Sequence, residues 1–129
     1  MKKITLFYIL FLLPLLFTSA QAQDSDGYGT VLGNEIAKAT NGFIEISNLD
    51  NPQESYLIQI GLPNDITFDE VRSHVRFVVE KYQDFDVQLP WERNEDEYVM
   101  LIRGGEEIYF LLSYFDTTED KYLILNWEI

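Results

Sequence analysis

Residues 67–85, TFDEVRSHVRFVVEKYQDF, constrain the fold more than any other stretch of the chain. Thr67 and Glu70 stand at the T-x-x-E spacing of a capping box, in which each side chain accepts from the other residue's backbone amide. Ile66 and Val71 flank that box where a hydrophobic staple would close. Val71, Val75, Val78, Tyr82 and Phe85 then recur at alternating steps of four and three, so the spacing predicts one apolar face on a helix that reaches Phe85. Asp69, Arg72, Arg76, Glu80, Lys81 and Gln83 fall mostly elsewhere. A helix divided in this way needs an apolar surface to lie on, and the chain after it is strand-like almost to its end.

That surface is expected from the last third. Glu97 to Arg103 and Glu106 to Phe115 flank Gly104-Gly105, a two-residue hairpin signal. With those glycines as the loop, Arg103 faces Glu106, Leu101 faces Ile108 and Val99 faces Phe110. A second hairpin through 117–120 sets Asp116 against Lys121, Leu112 against Leu125 and Phe110 against Trp127, and both turns then carry opposite charges side by side. Alternation sorts the sheet into two faces. One holds Val99, Leu101, Ile108, Phe110, Leu112, Tyr114, Leu123, Leu125, Trp127 and Ile129, and this is the expected seat of the helix. The other holds Tyr98, Met100, Ile102, Tyr109, Leu111, Ser113, Phe115, Tyr122, Ile124, Asn126 and Glu128. That second face is too apolar for a free surface and too polar for a deep core.

Earlier in the chain, Phe43 to Ser47 and Ser55 to Leu62 read as strands separated by the turn cluster NLDNPQ. Val87 to Trp91 reads as a short strand that Pro90 confines to an edge or a loop, and 92–96 as a polar turn. Thr30 to Thr40 carries a short helical pattern, with Thr30 as its cap and Gly42 as its end. The expected architecture is a single small α+β domain over 30–129: an antiparallel sheet of terminal hairpins, one main amphipathic helix on one face, and a short N-terminal helix.

The first residues read as an address. Lys2 and Lys3 precede the apolar run Ile4 to Phe17, which is shorter than the roughly 18–20 residues of a spanning helix, and Ala20-Gln21-Ala22 offers small residues for a signal peptidase. Residues 1–22 are therefore expected to be a cleaved signal peptide, followed by a flexible mature N-terminus at 23–29, with the protein periplasmic or secreted. The chain has no cysteine, so packing rather than disulfides must hold an exported domain together, which 9 Phe, 8 Tyr and 2 Trp make feasible. The formal net charge is −13, and cleavage would remove two of the 9 basic residues. Such acidity disfavours nucleic acid and anionic membrane surfaces as partners, suits a basic protein, and also keeps an exported protein soluble.

Chemistry finds little footing. His74 is the one histidine, one turn after Glu70, and a hydrolase or metal-dependent enzyme would have to gather it with distant carboxylates. There is no G-x-S-x-G and no glycine-rich loop between a strand and a helix. The carboxylate pairs Asp84/Asp86, Glu95/Asp96 and Glu106/Glu107 fall in expected loops and turns of an acidic chain. Asp24 to Glu35 resembles a single EF-hand calcium loop, with Asp24 and Asp26 as the first and third ligands, Gly29 as its glycine, Thr30 as a backbone carbonyl and Glu35 as the closing carboxylate. Tyr28 stands in it where an oxygen ligand is needed, so neither metal nor cofactor is expected. The sequence favours a non-catalytic binding module acting through Tyr98, Met100, Tyr109, Phe115, Tyr122 and Ile124, on another protein or on a second copy. An inhibitor or immunity-like protein capping a basic partner is a special case. The opposing expectation is that residues 30–46 fold over that face and complete a core.

Overall fold

The computed structural model describes residues 25–129. The signal peptide assigned to 1–22, and Gln23 and Asp24 after it, lie outside the described residues. The chain runs α1 (Ser25–Ala39), β1 (Phe43–Ser47), β2 (Ser55–Gly61), α2 (Phe68–Lys81), β3 (Phe85–Asn94), β4 (Glu97–Gly104), β5 (Ile108–Asp116) and β6 (Lys121–Glu128). The six strands form one antiparallel sheet in the order β1-β2-β6-β5-β4-β3. This is a small α+β domain, as the sequence leads one to expect.

The capping box forms as spelled. Thr67 Oγ1 accepts from the Glu70 amide at 3.1 Å, and the Thr67 amide donates to Glu70 Oε1 at 2.9 Å. Asp69 and Glu70 sit in the first turn and Lys81 in the last, each at the end of the helix dipole that its charge suits. Val71, Val75, Val78 and Val79 are buried. The helix ends earlier than the stripe suggests: Tyr82 is already extended (φ −116°, ψ 136°), and Phe85 opens β3 opposite Gly104. Phe85 is still buried, because the core side of the strand continues where the helix stripe stops.

The N-terminal helix is longer than expected. It already includes Ser25, so Thr30 is an interior residue rather than a cap, and 25–29 are helical rather than a loose terminus. Gly29 and Gly33, inside the helix, are contact points. A Cβ on Gly29 would fall 2.0 Å from Trp127 Cζ2, and one on Gly33 would fall 2.8 Å from Ile58 Cδ1. Both glycines lie on one face of α1 and let the helix approach the sheet closely. Tyr28, Leu32, Ile36 and Ala37 join the α2 valines in the core. Both helices therefore cover the same sheet face, and the segment 30–46 does not close the other one.

The β4–β5 register departs from the sequence reading. Gly104 is the last ladder residue of β4, opposite Ile108, and the loop is 105–107. Gly105 alone takes the left-handed conformation (φ 63°), and its amide donates to Asp84 O at 2.8 Å. Gly104 is needed for room: a Cβ there would stand 2.6 Å from Phe110 Cε2. Treating both glycines as turn residues displaces the pairing by an odd number of positions, which inverts every side chain of β4. Val99 and Leu101 thus lie on the open face, while Tyr98, Met100 and Ile102 lie under the helices; Ile102 is opposite Phe110 and Met100 opposite Leu112. The β5–β6 register agrees with the reading, with Phe110 opposite Trp127 and Asp116 opposite Lys121.

β3 is twice the expected strand, with bulges between Val87 and Glu92 that accommodate Pro90 at the sheet edge. Residues 92–94 belong to the ladder, and Glu95 (φ 56°) makes the turn into β4. An aromatic cluster closes this end of the core. Phe68 stacks on Tyr98 at 4.0 Å between ring centroids and meets Trp91 edge-on at 5.3 Å.

Candidate functional site

The sheet face away from the helices is built by alternation alone. Burial of Ile58, Ile60, Met100, Ile102, Phe110, Leu112, Leu123 and Leu125 beneath the helices forces their neighbours outward. Three rows of side chains then cross the open face. Leu89, Leu101, Leu111, Asn126 and Leu57 make one row; Glu92, Val99, Ser113, Ile124 and Gln59 make the next; Asn94, Glu97, Phe115, Tyr122 and Gly61 make the third. Phe43 and Ile46 extend the surface onto β1. Tyr109 projects beside Arg103 beyond the first row.

The surface is mixed, with apolar side chains exposed at its margins and half-buried towards its centre, where Ser113 is buried. Leu111 is 43% exposed, Tyr109 49%, Leu89 58% and Phe43 60%. Phe115 and Tyr122 stack at 4.9 Å with their planes 17° apart, which fixes both rings as a flat platform. Asn126 sits in the middle with its Nδ2 bonded within the sheet, donating to Ser55 Oγ at 3.0 Å and to Tyr56 O at 2.9 Å. Carboxylates stand towards the margins of this face: Glu92 and Glu97 within the second and third rows, with Glu128 and Glu45, which accepts from Gln59 at 2.9 Å, outside them. Asp86 approaches Arg103 at 3.6 Å.

Of the six candidate residues, Tyr109, Phe115, Tyr122 and Ile124 stand together on this face. Tyr98 and Met100 do not: the β4 register turns them inward, where Met100 is buried and Tyr98 stacks on Phe68. Leu57, Leu89, Val99, Leu101 and Leu111 complete the surface. Leu111 was already legible as a neighbour of Tyr109. Val99 and Leu101 were hidden by the register, and Leu57 because only strand order places β2 beside β6.

The remaining candidates are dispersed. His74 borders a shallow hollow of about 170 Å³ with Glu70, Asp65, Asn41 and Thr40. Glu70 Oε1 is already occupied by the Thr67 cap. Among the described residues no group of three or more His, Cys, Asp or Glu is arranged to hold a metal ion. In place of a calcium loop, 25–35 is helical, and Glu35 bridges the helices, 3.4 Å from Lys38 Nζ and 3.3 Å from Lys81 Nζ. Burial, with Glu35 beside it, pushes the Tyr82 hydroxyl up to about 12. Burial and the charges of Asp84 and Glu106 raise the Tyr28 hydroxyl further still, so both stay neutral hydroxyls in ordinary conditions. No protein family, no curated protein and no solved structure matches this chain.

Proposed function

We infer that this is an exported, acidic, non-catalytic interaction module that holds another protein against its open sheet face. The observation that carries the reading is the placement of both helices on one side of the sheet. Leu89, Tyr109 and Leu111 are thereby left exposed, and Leu101, Ile124 and the Phe115–Tyr122 platform half-buried beside them. Contiguous apolar surface beyond a few hundred Å² is uncommon on proteins that act alone, and tyrosine, phenylalanine and leucine together supply area with little loss of side-chain freedom. Export rests on the signal-like residues 1–22 and places the partner in the periplasm or the medium.

Photo-crosslinking in the exporting cell tests the reading. A crosslinking residue at Leu111 or Ile124 should trap a discrete protein, and one at Arg76 on the helical layer should not. Trapping at neither position, or equally at all three, would overturn it.

A further inference from the structure

We propose that the occupant of the open face is a basic protein, docking through a segment whose aliphatic side chains stand between lysines or arginines; this rests on the reading of that face as the binding surface. The support is the way charge divides between the two layers. Lys38 and Lys81 pair with Glu35, and Arg72 pairs with Asp69 at 2.8 Å while lying over Phe68. Arg93 lies over the Tyr98 ring, and Lys121 Nζ donates to Ile66 O at 2.6 Å. Arg76 is exposed on α2. All six cations belong to the helical side. Among the described residues the open face keeps one, Arg103, and Asp86 offsets it.

Glu45, Glu92, Glu97 and Glu128 remain on that face with no cationic partner among the described residues. They stand towards the margins of a largely apolar patch whose rows cross the sheet for about 19 Å at the usual strand spacing. A second copy would bring two such acidic rings together, with little to offset the repulsion. Anionic lipid or nucleic acid meets the same repulsion. A cationic segment with an apolar centre meets complementary charge at the rim and complementary surface in the middle. Rim charges of this kind set association rate and selectivity, and the apolar rows supply the affinity.

The probes are three synthetic helical peptides that share one leucine stripe, flanked by lysine, glutamine or glutamate. Their binding is read by anisotropy and by shifts of the protein's backbone amide resonances. The lysine peptide should bind roughly ten-fold tighter than the glutamine peptide, and lose that advantage in high salt. Leu111→Asp should abolish binding of both. The combined Glu92→Gln, Glu97→Gln and Glu128→Gln variant should bind the lysine peptide no better than the glutamine peptide. Asp65→Asn with Glu80→Gln, on the helical layer, should keep the preference. Equal binding of the three peptides, lost in Leu111→Asp, would refute charge selection and leave the binding face standing. A preference that survives the three open-face substitutions refutes it as well. A dimer that Leu111→Asp splits, with no peptide bound, makes a second copy the occupant and overturns the proposal. Peptide binding indifferent to Leu111→Asp would sink both readings.

Discussion

Two adjacent residues of β5, Tyr109 and Phe110, carry the difference between surface and core. Phe110 has no exposure and sits against Phe85 and Trp127, whereas Tyr109 is half exposed on the open face. Phe110→Ala should cost about 3–5 kcal/mol through the cavity it leaves. Tyr109→Ala and Tyr122→Ala should cost well under half as much in urea melts while weakening association, and equal destabilisation would mean that the open face is a packed layer. Tyr82 makes the corresponding statement about pH. Its hydroxyl is raised from 10.0 to about 12 by burial first and by Glu35 second. As pH rises through 10, the unfolded chain releases this proton before the folded one does, so the folded state binds more protons and stability falls. Below 10 the contribution is fully present, and it is lost by about 12. Melts across that window should show a steeper alkaline loss in the parent than in Tyr82→Phe; parallel profiles would contradict the shift.

At the scale of elements, α2 stands on local signals and α1 on tertiary ones. Thr67→Ala should cost about 1 kcal/mol by removing the cap that Glu70 reciprocates. Val75→Asp and Val78→Asp should cost several times more, because both side chains are buried in the core and each substitution would bury a charge there. In α1 the glycines reverse the usual rule. Alanine is favoured over glycine in a helix interior by about 1 kcal/mol, yet Gly29→Ala drives a methyl into the rigid Trp127 ring and should destabilise by about 1–3 kcal/mol. Gly33→Ala meets only the terminal methyl of Ile58, which can move, and should be much milder. A Gly29→Ala protein that melts no lower than the parent would mean that α1 stands further from the sheet than described.

For the molecule as a whole, export should remove residues 1–22, and an intact-mass measurement on protein recovered from the envelope or the medium checks it; a species that keeps Met1 to Ala22 would make this an anchored protein. What the sequence determined by itself is local. The T-x-x-E cap, the valine stripe, the Asp116/Lys121 turn and the β5–β6 pairing all appear in the structure, because each is specified by residues within a few turns or one tight loop. The α+β class follows from one amphipathic helix and a run of alternating strands. Three things were decided by tertiary structure alone. Room for the Phe110 and Phe85 rings above Gly104 moved the turn to 105–107 and exchanged Tyr98 and Met100 for Val99 and Leu101 on the open face. Close contact of Gly29 with Trp127 and of Gly33 with Ile58 made these two glycines the seat of α1. Strand order brought β2 beside β6, which gathers Leu57 with Leu111 and sets both helices on one side. Each depends on what lies across the core from a residue rather than beside it in the chain, and periodicity carries no record of that.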